Sequence, residues 1–152
     1  MQLPGDIDVV DVETRGLDVH TTALREIAEV SVRGGSLDSA WAAHFTLGDR
    51  SLRPVANELA ERLSQVPLVG HNVAFDVRCL ASALSRCDVT WKPLGAFCTQ
   101  RLTRAGQPHA GGSSLAAVAS MLGISDAPTH QALPDALVTA EVYLRLRRGE
   151  GG

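Results

Sequence analysis

The order of the apolar segments constrains the fold of this chain more than any other feature. Segments with strand character come first and are separated by tight turns, and helical and strand-like segments then alternate. The strand-like segments are residues 7–12, 24–32, 41–47, 67–70 and 96–98, and the helical ones are 55–66, 75–84, 113–122 and 132–148. The order βββαβαβ, followed by further helices, predicts one α/β domain. Its sheet is mixed, and the first three strands form an antiparallel meander.

The size and composition are those of one folded domain. The chain has 152 residues, of which 45% are hydrophobic and 20% are charged, so we predict a single domain over residues 1–148 and a disordered tail at 149–152. No apolar run approaches the roughly 20 residues that span a bilayer, and the N-terminus lacks a signal-peptide pattern. A cytoplasmic protein that contacts no membrane is therefore expected.

Cysteine spacing and net charge exclude several kinds of function. Cys79, Cys87 and Cys98 form no CxxC pair, which argues against a zinc site or a disulfide framework. The net charge of −3 argues against a protein that coats duplex nucleic acid. It leaves open a protein that holds a few nucleotides through bound metal ions.

Asp11 and Glu13 flank Val12 at the end of the first strand. Residues i and i+2 of a strand point to the same face, so the two carboxylates can converge on one point. They repel each other unless a cation lies between them. Considered alone, the pair is more typical of a solvated acidic strand end.

Two further polar clusters lie where a strand or loop meets a helix. One runs from His71 and Asn72 through Phe75 to Asp76, at the position where α/β sheets bind ligands. The second runs from His130 to Asp135 at the start of the last helix, and a loop histidine beside acids can act as a general base. Each cluster also has an ordinary explanation, such as a helix cap, a core phenylalanine or a surface histidine.

Considered together, the three clusters resemble the DEDDh 3′–5′ exonucleases. The order is an Asp-x-Glu strand, then His-Asn-x-x-x-Asp, then His-x-x-x-x-Asp on the final helix. The similarity is strongest to RNase T and to the proofreading epsilon subunit of bacterial DNA polymerase III. It extends from Asp8 to about Arg147, and residues 68–76 are its most specific part. The pair Cys98 and Thr99 and the segment 113–123 also match the family.

The resemblance implies a ribonuclease-H-like fold with a five-stranded mixed sheet and a site for two divalent ions. By similarity, Asp11 bridges both ions, and Glu13 and Asp135 hold the ion that carries the attacking water. Asp76 serves the other ion, and His130 takes the proton from the water. Independently of the resemblance, a set of hard oxygen donors selects Mg²⁺ or Mn²⁺ over Zn²⁺. The expected products are nucleoside 5′-monophosphates.

Substrate contacts are expected at the turn after the first strand and around the second cluster. By similarity, the Thr14 backbone meets the 3′-hydroxyl in a turn that includes Gly16, and Leu17 packs on the last base or plugs the sheet end. His71 and Asn72 order the site or contact phosphate. Phe75 is either a base-stacking platform or part of the core.

The chain also departs from the family pattern. Arg15 replaces a threonine and is hypothesised to contact phosphate. Only residues 48–54 separate the third strand from the next helix, which predicts a more open site with looser substrate choice. Pro134 is expected to stiffen the His130 loop. The chain ends at the last helix without a recognisable clamp-binding segment, so stable association with a polymerase is not expected.

Several alternatives remain open at the level of sequence. The substrate is the 3′ end of single-stranded DNA or RNA, with DNA favoured, and the oligomeric state is undetermined. A nucleic-acid-binding or partner-docking module with a relict metal site is a second interpretation. A structural cation site in a non-enzymatic domain is a third.

Overall fold

A computed structural model describes residues 2–16, 18, 23–46, 48–106 and 113–150. It contains one five-stranded sheet with the strand order β3-β2-β1-β4-β5. Strands β1, β2 and β3 are antiparallel to one another, whereas β4 is parallel to β1 and β5 is parallel to β4. The strands are β1 (Ile7–Thr14), β2 (Leu24–Arg33), β3 (Ser36–His44), β4 (Leu68–Gly70) and β5 (Ala96–Cys98). This mixed sheet confirms the predicted fold class.

Helices cover both faces of the sheet. They are α1 (Asp49–Leu52), α2 (Ala56–Arg62), α3 (Val73–Arg86), α4 (Thr99–Gly106), α5 (Leu115–Met121) and α6 (Ala132–Arg147), and a 3₁₀ turn (Arg53–Val55) joins α1 to α2. Among the residues described, no helix is both long enough and apolar enough to cross a membrane.

The alternation of side chains along β1 positions the site. Val10 and Val12 belong to the apolar cluster that contains residues of α2 and α3. Ile7 and Val9 belong to the opposite cluster, which contains residues of α6. Because side chains alternate between faces, Asp11, two residues after Val9, lies on the α6 face. Glu13 continues the same face beyond the end of the apolar core.

Three local predictions were wrong. The third strand was placed at 41–47 but spans Ser36–His44, because Gly34 and Gly35, at φ 58° and 78°, form a tight turn that lets pairing begin at once. Its first residues are polar and exposed, so no apolar alternation marks them. The connection at 48–54 contains α1 and part of the 3₁₀ turn. Helix α4 was not predicted, since it is predominantly polar.

Candidate active site

Three carboxylates converge where β1 meets the N-terminus of α6. Asp11, Glu13 and Asp135 each contribute one carboxylate oxygen, and these oxygens all lie within 4.8 Å of one another. The strand periodicity places the first two on the α6 face, and the first turn of α6 presents the third. The structure therefore brings together three predicted site residues that are far apart in the sequence.

Asp76 joins this group from the other side of β1. It lies in the first turn of α3 and is buried, and its Oδ1 accepts the backbone N–H of Val12 at 3.1 Å. This hydrogen bond fastens α3 to β1 at the residue between Asp11 and Glu13. The charge of Asp76 also raises the pKa of Asp11, so the two carboxyl groups interact electrostatically.

The electrostatics of the group fit a divalent cation. Burial, and then the charges of Asp76, Glu13 and Asp135, raise the pKa of Asp11 to about 9. Burial also raises the pKa of Asp76 to about 8. Oδ2 of Asp11 is buried and has no hydrogen-bond partner among the residues that the structure describes. An orphaned carboxylate oxygen among other hard oxygen donors matches the coordination preference of Mg²⁺ or Mn²⁺.

These shifted pKa values predict how stability depends on pH in the presence of a chelator. A carboxyl group with a raised folded-state pKa contributes stability that is complete below its unfolded pKa and is lost as the pH rises through its folded pKa. Asp11 titrates near pH 9 and Asp76 near pH 8 in the folded state, and burial raises the pKa of Glu29 to about 7. The melting temperature in chelator should therefore decrease as the pH rises from about 4 to about 9.

Thermal melts at half-unit pH intervals, with and without Mg²⁺, measure this dependence. Bound cations favour ionised carboxylates, so Mg²⁺ should flatten the fall in the melting temperature on the alkaline side. A melting temperature in chelator that rises steadily to pH 9 would contradict the electrostatic assignment.

The loop before α6 is folded around Asp135. The two carboxylate oxygens of Asp135 accept hydrogen bonds from the backbone N–H groups of Thr129, at 2.7 Å, and His130, at 3.1 Å. His130 adopts a left-handed conformation, with φ 61°, and is exposed. Burial and the charge of Asp135 raise the pKa of Glu13, whereas Arg25 and His130 lower it. The His130 imidazole therefore interacts electrostatically with Glu13. Pro134 lies in the first turn of α6, where a helix tolerates proline.

The turn after β1 is held by local hydrogen bonds. The Thr14 hydroxyl donates to the carbonyl of Gly16 at 2.5 Å, and the β1–β2 register shifts between Glu13 and Thr14. Such irregularities often occur beside active sites. Arg15, proposed as a phosphate contact, donates to the carbonyl of Thr46 at 3.1 Å. Leu17 lies outside the described residues.

His71 has a structural role in the residues described. Its Nε2 lies 2.6 Å from the carbonyl oxygen of Ser113, and its Nδ1 lies 2.8 Å from the hydroxyl of Thr99. A carbonyl only accepts, so Nε2 carries the hydrogen and Nδ1 accepts from Thr99. Burial lowers the pKa of His71, which favours this neutral form. These contacts favour a role for His71 in ordering the site over a role in contacting phosphate.

Asn72 and Phe75 differ in their surroundings. Asn72 is exposed at the N-terminus of α3, with φ 63° and no side-chain capping bond, so its amide can reach a ligand. Phe75 is half-buried and packs against the apolar cluster on the α3 face. That packing favours the core interpretation of Phe75 over a base-stacking platform.

Glu26 and Thr99 contribute to the site but were not among the predicted site residues. Glu26 pairs with Glu13 across the β1–β2 ladder, and its charge raises the pKa of both Asp11 and Glu13. The available signal was a glutamate beside the apolar residues Ile27 and Ala28 of a strand that is largely buried. Thr99 is fully buried and bonds His71, and it had been noted only as part of the family pattern.

The chain has a ribonuclease-H-like fold, with an acidic cluster where its first strand meets the last helix. The chain belongs to the RNase T exonuclease family, whose model, described as "Exonuclease", matches residues 45–143. The matched segment includes Asp76, His130 and Asp135. The match begins after Asp11 and Glu13, and the structure places both of these residues beside Asp135.

Curated relatives and solved structures agree with this assignment. A candidate bifunctional exonuclease/endonuclease protein of Mycobacterium tuberculosis is 42% identical over 77 residues, which is 49% of this chain and 12% of that protein. The DNA polymerase III subunit epsilon of Aquifex aeolicus is 24% identical over 95% of this chain and 81% of its own length.

The fold is also that of a solved exonuclease. The zinc-bound E. coli ExoI–ssDNA complex superposes with a TM-score of 0.77 at 12% identity, over 97% of this chain and 42% of that one. The chain thus spans about an eighth of the first relative and less than half of the ExoI chain.

Proposed function

We propose that this protein is a metal-dependent 3′–5′ exonuclease that releases nucleoside 5′-monophosphates from single-stranded nucleic acid. DNA is the favoured substrate, and RNA is the second. The observation that carries the proposal is the convergence of the Asp11, Glu13 and Asp135 carboxylates, together with a buried Asp11 oxygen that has no hydrogen-bond partner among the described residues. Asp76 is tied to the same strand through the N–H of Val12. Relatives named as exonucleases, and an ExoI structure solved with single-stranded DNA, support it. A cytoplasmic location remains a prediction.

Each acidic residue has a definite role in this proposal. Asp11, Glu13 and Asp135 would hold one cation, and Asp11 and Asp76 would hold a second. When bound, two such ions stabilise the attacking and leaving oxygens of an in-line phosphoryl displacement. The Val12 N–H orients the Asp76 carboxylate, and two loop N–H groups orient Asp135. The acids are thus placed before substrate arrives, and their mutual repulsion makes cation binding favourable.

His130 serves as the general base in this scheme. It accepts a proton from the attacking water as the water oxygen bonds to phosphorus, and the bond between phosphorus and the 3′ oxygen of the preceding nucleotide breaks. The shortened strand keeps that oxygen as its new 3′-hydroxyl, and the released nucleotide carries a 5′-phosphate. The exposure of the imidazole and its coupling to Glu13 suit this role.

A basic groove beside the acids provides a path for the strand. It is a cavity of about 470 Å³ lined by Asn72, Val73, Ala74, Val77, Ala96, Cys98, Gln100, Arg101 and Arg104. None of these lining residues is acidic. The groove lies at the carboxyl ends of β4 and β5, which are parallel to β1, so it shares the sheet edge of the acids. Its arginines suit the phosphates of a single strand.

Arg101→Glu should weaken binding of single-stranded DNA. No ion pair holds Arg101 within the described ranges, so its charge is available for a phosphate. We expect affinity at low salt to fall about tenfold and the slope of log K against log salt to decrease by about one. Fluorescence anisotropy with labelled oligonucleotide in Ca²⁺ measures both quantities.

Arg148→Glu is the matched control for this measurement. Arg148 follows the C-terminus of helix α6, about 20 Å along the helix axis from Asp135. The Arg148→Glu substitution should leave both the affinity and the salt slope nearly unchanged. Equal effects of the two reversals would indicate a general charge effect and would remove the groove from the proposal.

One experiment tests the function itself. Single-stranded DNA and RNA labelled at the 5′ end are incubated with the protein in Mg²⁺, Mn²⁺, Ca²⁺ or chelator, alongside Asp11→Ala and His130→Ala. A ladder that shortens from the 3′ end and requires metal and both residues supports the proposal. Binding without cleavage would favour the docking module, and metal-dependent stability with neither would favour a structural cation site.

A further inference from the structure

Glu26 of β2 connects the sheet directly to the N-terminus of α6. Its Oε1 accepts the backbone N–H of Ala132 at 2.8 Å, across 106 residues of sequence. Its Oε2 lies 3.6 Å from Nδ1 of His44 on β3, whose side chain is 72% exposed. Glu26 itself is only 8% exposed. A buried carboxylate from the sheet thus caps the first residue of the helix that carries Asp135.

This contact replaces a local helix cap. The first N–H groups of a helix have no intrahelical acceptor, and a side chain at the N-cap position usually supplies one. Here Gln131 occupies that position and forms no capping hydrogen bond. Asp135 accepts from Thr129 and His130 instead, and Glu26 accepts from Ala132. Two carboxylates therefore hold the backbone on both sides of the His130 side chain.

The position of the His130 imidazole depends on this backbone. Within the described part of the chain, its ring forms no hydrogen bond, so the loop backbone sets the point from which the imidazole can reach the acids. A neutral local cap at Gln131 would accept from the N–H of the second or third helical residue rather than from that of Ala132, and would add no negative charge. Glu26 instead adds repulsion that raises the pKa of Asp11 and Glu13. What the distant carboxylate provides is a fixed position of the loop relative to β1 and β2.

We propose that Glu26 is a positioning residue, which holds the His130 loop at the distance from the acids that proton transfer requires. The catalytic part of this inference rests on the proposed role of His130 as the base. Glu26 contacts neither substrate nor the reacting atoms in this scheme. It acts through the N–H of Ala132, and an uncharged acceptor of the same shape should perform the same task.

Kinetics of Glu26→Ala and Glu26→Gln test the inference. Glu26→Ala removes the acceptor and should lower kcat about 10- to 100-fold while KM changes less than about threefold. Glu26→Gln keeps a carbonyl oxygen for Ala132 and should retain kcat within about threefold. Glu29→Ala is the matched control, because Glu29 is also a buried carboxylate of β2. Its side chain lies on the opposite face of the sheet, 3.7 Å from Arg62. The Glu29→Ala substitution should leave kcat nearly unchanged.

A double variant separates positioning of His130 from a general loss of stability. If Glu26 acts through His130, adding Glu26→Ala to His130→Ala should lower kcat by less than about twofold further. An undiminished effect of Glu26→Ala in the double variant would overturn the inference. So would full activity of Glu26→Ala, or an equal loss in Glu26→Gln.

Amide hydrogen exchange provides a readout that needs no activity. Glu26→Ala should accelerate exchange at Ala132 at least about tenfold, whereas Glu26→Gln and Glu29→Ala should not. Unchanged exchange in Glu26→Ala would refute the positioning contact itself. If the unsubstituted protein cleaves nothing, the proposed function fails, and the exchange rates still decide whether Glu26 holds the loop.

Discussion

Asp11→Asn is expected to abolish cleavage and, at the same time, to raise the melting temperature of the protein in chelator. Asp11 combines a pKa of about 9 with a buried oxygen that has no partner among the described residues. At neutral pH the folded chain must therefore keep this carboxyl group protonated, whereas the unfolded chain ionises it freely, and this difference destabilises the folded state. An amide ionises in neither state and can donate to the neighbouring carboxylates. We expect a gain of at least about 1 kcal/mol, which is about 3 °C for a chain of this size.

The same substitution should remove the response to magnesium. The unsubstituted protein should melt at a higher temperature in Mg²⁺ than in chelator, whereas Asp11→Asn should melt at nearly the same temperature in both. Differential scanning calorimetry at pH 7.5 measures this. Asp38→Asn, at an exposed position of β3, serves as the control and should change neither stability nor activity. A lower melting temperature for Asp11→Asn in chelator would contradict the electrostatic description of the site.

His130→Ala is expected to lower kcat about 10²- to 10⁴-fold, the range for loss of a general base. Stabilisation by Mg²⁺ should persist, because the four carboxylates remain. Asp11→Asn and His130→Ala should therefore both be slow, and the response of the melting temperature to Mg²⁺ should distinguish them. Single-turnover cleavage of a 5′-labelled oligonucleotide, together with thermal melts, measures both effects.

The backbone at His130 calls for a companion variant. Its φ of 61° is a conformation that alanine adopts less readily than histidine or asparagine. His130→Asn keeps the loop conformation and removes the imidazole, so it should be as slow as His130→Ala. If His130→Asn retained about a third or more of the original kcat, the loop conformation rather than the imidazole would matter, and another group would have to accept the proton.

Local sequence patterns predicted much of the fold and the acidic cluster. The strand period places Asp11 and Glu13 on one face, and helix-start positions place Asp76 and Asp135, because these rules act over a few residues. The same rules failed for the start of β3, whose residues are polar and exposed, and for α4, which is predominantly polar. Where burial does not decide the side chain, the hydrophobic pattern carries little information.

Contacts between distant segments could not be predicted in this way. His71 had two open roles until its ring was seen bridging Thr99 and the Ser113 carbonyl. Glu26 lies between Arg25 and Ile27 on β2, and nothing in its own neighbourhood indicates that it caps a helix 106 residues later. Both contacts depend on how the sheet packs against the helices, and that packing is a property of the whole chain.

The sequence by itself determined which side chains supply the oxygen donors and the imidazole of the candidate site, because residue type fixes the available chemistry. Only the tertiary structure decided that oxygens of three of the carboxylates lie within 4.8 Å of one another, and that a buried oxygen of Asp11 has no partner among the described residues. Burial and mutual repulsion then raise the pKa values of Asp11 and Asp76, and these effects require the folded chain. The same packing sets the position of His130, through Asp135 from its own helix and Glu26 from the sheet.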